Sequence, residues 1–251
     1  MKKITVLIPC YNEEKGIGDV IENIPYKKLM ALDYKTEVIV IDNNSSDKTI
    51  QKAESKGARI IHENRQGKGY AVITGFKSIP KDTDKVVMLD GDNTYLSKEM
   101  LRLIEPLDSG FCDVVIGTRM GGKIKSNSMT TFNRWGNWFL TFLVRIAYKS
   151  TVTDVCTGYF AWNRHVVDFL ADNLESNGFS LEMEMVTKMA RMNYEMFSVP
   201  ITYDERGSSV SKLKPIKDGM IILSTWMKNL NWKPEEPVLL DAEKSKSDYS
   251  A

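Results

Sequence analysis

The strongest constraint on the fold of this chain is an alternation. Short runs rich in β-branched residues at Ile4–Ile8, Val38–Ile41, Arg59–His62, Lys85–Leu89 and Asp113–Ile116 are mostly separated by segments of helical length. That pattern predicts an α/β architecture, a mostly parallel central sheet with helices on both faces. The intervening helices are expected around Glu13–Ile24, Asp47–Lys56, Gly69–Ser78 and Ser97–Leu107, with Ser46 and Ser97 offering N-cap chemistry. The second half is less regular. It holds an aromatic helical segment at Phe132–Tyr148, a helix near Leu181–Met192 and a strand at Met196–Pro200. With no internal repeat and no clear linker, residues 1–232 read as one domain. Residues 233–251 are mostly polar and are expected to form a mobile tail.

Composition narrows the class of partner. The 34 Lys and Arg residues balance 33 Asp and Glu, leaving a net charge of +1, too even for a surface that binds nucleic acid non-specifically. Three widely spaced cysteines, Cys10, Cys112 and Cys156, form no CxxC pair, which argues against a disulfide framework or a thiolate zinc site and for a reducing, cytoplasmic setting. The N-terminal MKKITVLIPC turns polar at Tyr11-Asn12-Glu13-Glu14 before a secretory core is complete, so it reads as a first strand. Trp138–Tyr148 and Met220–Trp232, interrupted by Arg145 and Lys228, fall short of the roughly 20 apolar residues of a spanning helix, and the chain is expected not to be integral.

Polar motifs lie at the carboxyl ends of the expected strands, the edge along which open α/β sheets bind ligands. Asp90-Gly91-Asp92 follows the fourth run, and two carboxylates so spaced can converge on one hard divalent cation, Mg²⁺ or Mn²⁺, bridging a diphosphate. Taken alone the same residues also make an ordinary Asp-Gly turn. Asp42-Asn43-Asn44-Ser45-Ser46-Asp47 offers acceptors to a base and ribose, or an Asx-rich loop ending in a helix cap. Gly67-Lys68-Gly69, just before a helix, places backbone N–H groups and a cation where a phosphate could bind, or makes a plain turn; it lacks Walker A spacing.

In this order, after the opening Ile8-Pro9-Cys10-Tyr11-Asn12-Glu13-Glu14, these motifs resemble the family 2 glycosyltransferases, whose fold is of the GT-A type. Further along, the likeness is to the polyprenyl-phosphate, or dolichyl-phosphate, sugar synthases. It rests on Gly117-Thr118-Arg119, Asn133-Arg134, Asp154 with Thr157-Gly158-Tyr159, Glu182 and Glu184, Val199-Pro200-Ile201-Thr202-Tyr203, Arg206 and Ser211-Lys212, and spans about Ile4 to Leu213. The resemblance implies a metal-dependent, inverting transfer of a hexose or N-acetylhexosamine from a nucleotide sugar, a UDP-sugar slightly favoured over GDP-mannose, to a polyprenyl phosphate. It implies Mg²⁺ or Mn²⁺ on Asp90 and Asp92, and donor contacts from Pro9, Tyr11, Asn12, Glu13, Asp42, Asn44, Ser45, Gly67, Lys68, Gly91 and Glu182. Arg119, Arg134, Arg206 and Lys212 would form a cationic cradle for phosphate, the last from a mobile loop at Asp204–Lys214. Glu182 and Glu184, two apart on a helix, cannot both face the site, and Glu182 is the expected one. His62 and His165 stand outside the motifs.

Two departures matter. Where the nucleotide loop of the family often carries a second aspartate, this chain has Asn43, and Tyr159 is followed by Phe160 where members often have arginine. Competing readings keep the fold with a saccharide or soluble acceptor, for which Asn133-Arg134-Trp135 lacks the QxxRW spacing, or make the chain a non-catalytic nucleotide-sugar binder. Trp135, Trp138, Phe139, Phe142, Leu143 and Ile146, set among Arg134, Arg145 and Lys149, suit a helix lying on the cytoplasmic face of a membrane. A helix packed over the sheet would use the same aromatic residues.

Overall fold

The structure is a computed structural model that describes residues 1–126, 128–206 and 212–234. Its centre is a seven-stranded sheet, built from β1 (Lys2–Cys10), β2 (Tyr34–Asp42), β3 (Arg59–His62), β4 (Lys85–Met88), β5 (Val114–Ile124), β6 (Phe160–Asn163) and β7 (Met196–Tyr203), in the order β3-β2-β1-β4-β6-β5-β7. Only β6 runs antiparallel to its neighbours. The sequence pattern misses it, because Phe-Ala-Trp-Asn is short and carries no β-branched residue.

Side chains alternating along each strand feed two separate cores. From β1, Ile4, Val6 and Ile8 join Val38 and Val40 of β2 on one face, under α1 (Ile17–Glu22), α2 (Tyr26–Ala31), α3 (Thr49–Ser55) and α5 (Met100–Asp108). Leu7 joins Ile39, Ile41, Val86, Met88 and Trp162 on the other, under α4 (Lys68–Lys77), α6 (Thr131–Tyr148), α7 (Arg164–Asn173), α8 (Leu181–Arg191) and α9 (Pro215–Asn229). Burial of these aliphatic faces, at about 25 cal/mol per Å², is what drives the two layers onto the sheet.

Helix starts differ from the sequence expectation for local reasons. Lys48 stands at the N-cap of α3, and Asp47 before it, rather than Ser46, accepts the Thr49 N–H at 2.9 Å. Ser97 donates its hydroxyl to the Val20 carbonyl at 2.7 Å, tying a 3₁₀ turn before α5 to α1 instead of capping. In α6, Asn137, Leu140, Thr141 and Val144 face inward while Phe132, Trp135, Trp138, Phe142 and Ile146 are exposed. One helix thus covers the sheet and presents an aromatic stripe outward.

The chain leaves β1 toward β2 and β3, then returns to the far side of β1 as β4. That reversal separates the loops after β1 and β4, and opens a crevice at the carboxyl edge, where sheets of this kind bind ligands.

Candidate active site

Pro9, Cys10, Tyr11 and Glu13 at the end of β1 and Asp90, Gly91 and Asp92 after β4 line a cleft of about 300 Å³. Asn43, Gln66, Gly67, Lys68, Ala71, Phe179, Arg206, Lys212 and Leu213 complete the lining. A second cavity of about 390 Å³ lies beside it between α6 and α9. It is lined by Arg119, Asn133, Asn137 and Glu182 and by the apolar side chains of Met129, Phe132, Leu140, Leu213 and Ile222. Lys68, Asp90, Phe179, Arg206 and Leu213 line both, so the two chambers meet there.

Acid and base pair closely at that junction. The Lys68 ammonium lies 2.7 Å from Asp90 Oδ1 and 2.7 Å from Glu182 Oε1. Burial alone would lower its pKa, but the two carboxylates outweigh burial and the net displacement is upward, so Lys68 is a fixed cation. Arg206 Nη2 lies 2.7 Å from Asp92 Oδ2, while Asp92 Oδ1 accepts the Thr94 N–H at 3.1 Å and the Thr94 hydroxyl at 2.6 Å. Lys212 lies 2.7 Å from Glu13 Oε1 and also donates to the Tyr11 carbonyl. Glu13 Oε2 is buried without a hydrogen-bond partner among the described residues, and burial raises that carboxyl above its ordinary value even though Lys212 pulls it down.

Asp90 and Asp92 are the residues suited to a divalent cation. Among the described residues no three His, Cys, Asp or Glu side chains converge as a protein-only metal cage. Two carboxylates at a strand end fit the small hard cations that take their remaining oxygens from a diphosphate and water. The donor set therefore suits a metal that arrives with its phosphate ligand.

Several residues expected at the donor contact do not line the cleft. Asn12 and Asn44 hold left-handed conformations, which asparagine tolerates, and knit the first two loops. Asn12 Oδ1 accepts the Ser46 N–H at 2.8 Å, Ser45 Oγ accepts the Asn12 N–H at 3.0 Å, and Asn44 Nδ2 donates to the Asn64 carbonyl at 2.6 Å. Asp42 is buried; its Oδ1 accepts the Ser45 N–H at 3.2 Å and its Oδ2 stands 3.5 Å from His62 Nδ1. None of the four is brought to the cleft surface.

Gly67 and Gly69 correct the phosphate-cradle expectation. The Gly67 N–H goes to Asn43 Oδ1 at 2.7 Å and the Gly69 N–H to the Asn177 carbonyl at 3.2 Å, so neither is free for an anion. The glycines are there for close approach. A Cβ on Gly67 would stand 2.0 Å from the Asn177 oxygen, and one on Gly69 would stand 1.8 Å from the Ser176 oxygen. Only Lys68 of the three sends a functional group into the site.

The arginines separate into distinct roles. Arg206 is at the cleft. Arg119 is buried and committed to Asp154, with Nε and Nη2 each 2.8 Å from its carboxylate oxygens, a third bond to the Cys156 carbonyl and its guanidinium over the Tyr203 ring. It lines the second cavity as part of a neutralised pair held further by Asn137, whose Nδ2 donates to Asp154 at 2.7 Å. Arg134 is exposed on α6 and lines neither cavity, because residues 133, 136, 137 and 140 form the inward stripe. Lys212 reaches the cleft, whereas residues 207–211 of its loop, with Ser211, lie outside the described residues.

Sequence reasoning missed Asn43, whose carboxamide is saturated. Nδ2 donates to the Glu63 carbonyl at 2.9 Å and to the Arg65 carbonyl at 2.7 Å, and Oδ1 accepts from Gly67 N and, at 3.3 Å, Gln66 Nε2. An aspartate could accept but not donate, which accounts physically for asparagine here. Phe179 and Leu213 were also missed, since nothing local marks a hydrophobic residue as lining a cavity.

The seven-stranded sheet with an acidic strand-end site at its switch point is the GT-A glycosyltransferase architecture. A solved structure of this class, glucosyl-3-phosphoglycerate synthase from Mycobacterium tuberculosis in complex with Mn²⁺, UDP and phosphoglyceric acid, superposes with a TM-score of 0.71 at 20% identity, covering 93% of this chain and 80% of that one. Residues 5–169 match Glycosyl transferase family 2, and the chain belongs to that family. Among relatives, Glycosyltransferase AglJ of Haloferax volcanii is 35% identical over 87% of this chain and 69% of its own length. The dolichyl-phosphate hexose transferase of the same organism is 32% identical over 87% of this chain and 90% of its own. The chain is thus a family 2 glycosyltransferase.

Proposed function

We propose that this enzyme transfers a hexose or N-acetylhexosamine, with inversion, from a nucleotide sugar to a polyprenyl phosphate. The observation that carries the reading is the joined pair of chambers. One lies at the sheet's switch point and carries Glu13, Asp90 and Asp92, the other lies between α6 and α9 and sets Arg119 beside the apolar side chains of Met129, Phe132, Leu140 and Ile222, and they meet at Lys68, Asp90 and Arg206. A sugar donor in the first and a phosphate bearing a hydrocarbon tail in the second would bring anomeric carbon and nucleophile to the same point. The relatives named for dolichyl-phosphate hexose transfer and undecaprenyl-phosphate mannosyl transfer favour that acceptor.

An acceptor phosphate is already ionised and nucleophilic, so the protein needs to align and neutralise two anions rather than deprotonate an alcohol. Asp90 and Asp92 would hold Mg²⁺ or Mn²⁺, which neutralises charge on the departing diphosphate. Lys68 and Arg206 now neutralise the same carboxylates, and on donor arrival their charges are placed to turn toward phosphate oxygens. The Glu13–Lys212 pair lines the same cleft. The UDP-over-GDP preference rests on the resemblance of the Asp42–Ser45 loop. No helix among the described residues is long and apolar enough to cross a membrane. The exposed aromatic stripe of α6, flanked by Ile216, Met220 and Ile221 of α9, supports peripheral attachment, with the second cavity opening between those two helices.

The test is transfer of labelled sugar from UDP- and GDP-sugars to a polyprenyl phosphate in the presence of Mg²⁺ or Mn²⁺, counted in the organic phase. Label there supports the acceptor assignment. A new glycoside only in the aqueous phase would overturn it while leaving the enzyme class intact.

A further inference from the structure

The sequence motif Glu182-Met183-Glu184 leaves one carboxylate unexplained. Glu182 reaches Lys68, while Glu184, two residues on, turns away from both cavities and is buried. Its surroundings are specific. Glu184 Oε1 lies 2.7 Å from Lys188 Nζ, and its oxygens accept the Glu175 N–H at 3.1 and 3.2 Å and the Ser176 N–H at 2.7 Å. Lys188, 1% exposed, donates to the Asn173 carbonyl at 2.5 Å and lies over the Trp232 ring. One buried ion pair on α8 therefore grips three backbone groups of the segment 173–176.

The far side of that segment is the surface on which α4 begins. The Asn177 carbonyl accepts the Gly69 N–H, and the Ser176 and Asn177 oxygens sit so close to Gly69 and Gly67 that no side chain fits between. Lys68 lies between those two glycines. Its ammonium is held from the front by Glu182 and Asp90, and the glycines on either side of it pack from behind on 176–177; α8 contributes Glu182 to the first and the grip on 173–176 to the second.

We infer that Glu184 and Lys188 are a positioning pair for the reaction, fixing segment 173–177 so that the start of α4 holds Lys68 at the junction of the two chambers. The inference rests on the proposed role of Lys68 in neutralising phosphate charge there. A buried ion pair is weak evidence of stability, since a well-packed apolar replacement is often neutral. What that replacement cannot supply is the acceptor for two loop N–H groups.

Glu184→Met alone would strand the Lys188 charge and threaten folding, so the test uses Glu184→Met combined with Lys188→Met, which leaves the Glu175 and Ser176 N–H groups without their acceptor. Methionine keeps the apolar stem over Trp232. Three readouts are taken: the thermal midpoint, hydrogen exchange of amides 67–71, and steady-state transfer kinetics, with Lys68→Met alone and with all three substitutions together. The account predicts a folded variant with faster exchange at 67–71, kcat lowered about tenfold and donor KM within about twofold. The triple variant should then be no slower than Lys68→Met alone. Unchanged exchange at 67–71 overturns the mechanical link. Faster exchange with unchanged kcat, or multiplying losses in the triple variant, overturns the positioning role. Full turnover by Lys68→Met would instead sink the placement of Lys68 at the reaction and the positioning role with it, and the exchange data would still report on the mechanical link by themselves.

Discussion

Asn43→Asp, a change of one side-chain nitrogen to oxygen, should be costly in a calculable way. Asn43 is 3% exposed and donates to the Glu63 and Arg65 carbonyls, at 2.9 and 2.7 Å. A carboxylate keeps the bond from Gly67 N but faces two carbonyl oxygens with no proton to offer. Leaving a buried acceptor unsatisfied costs about 1–3 kcal/mol, so two of them, partly relieved by water, come to about 3 kcal/mol. For a chain of this size that is roughly 6–12 °C in thermal midpoint. The assay is a thermal melt of both proteins at several pH values. The facing carbonyls favour the protonated acid, raising the new carboxyl's folded pKa above its unfolded value of about 3.9. The destabilisation relative to wild type is therefore full above the folded pKa and shrinks as pH falls through it, because the acid regains one donor. The gap between the two midpoints should be wide at pH 8 and narrower near pH 4.5. Equal midpoints at pH 8, or a gap that widens toward acid, would refute the donor accounting.

Three further outcomes follow from the same geometry. Asp92→Asn keeps an oxygen for Thr94 but loses the charge facing Arg206, and should cut sugar transfer by about 100-fold or more with the thermal midpoint within a few degrees; unchanged turnover would refute its role as metal ligand. Glu63, held by Arg65 and Thr74, has its carboxyl lowered from the ordinary 4.5 to about 2. Its folded pKa is depressed, so its stabilisation is present above about pH 4.5 and lost as pH falls toward 2; Glu63→Gln should flatten that limb of the melting-temperature profile, and an unaltered limb would contradict it. Replacing Trp135 and Trp138 by Ser should abolish co-sedimentation with anionic liposomes at low salt while leaving the fold intact, since both rings are exposed; retained binding would locate the membrane face elsewhere.

Much of the sheet was legible because five of its strands carry β-branched runs, and Arg59–His62 is recovered to the residue. β6 was not, having neither length nor pattern, and its antiparallel insertion is decided by pairing with β4 and β5. The site was legible as three loops at strand ends, because turn chemistry and charge are local signals. Which side chains of those loops face the cleft was not. Asn12, Asn44 and Ser45 look like ligand contacts in sequence, but spend their polar atoms joining one loop to another. Arg119 reads as a free cation until its partner Asp154, 35 residues away, is placed beside it. Local spacing could restrict Glu182 and Glu184 to one inward carboxylate, but only packing shows what the other one holds.

The central claim is that a sugar moves from a nucleotide to a polyprenyl phosphate at the Asp90–Asp92 edge, and the most direct measurement is label transferred into the organic phase by the wild type and by Asp92→Asn, with and without Mg²⁺ or Mn²⁺. The account predicts metal-dependent organic-phase label from one sugar donor, lost in the variant. Label that persists without metal and in Asp92→Asn, or that appears only as a water-soluble glycoside, would contradict it.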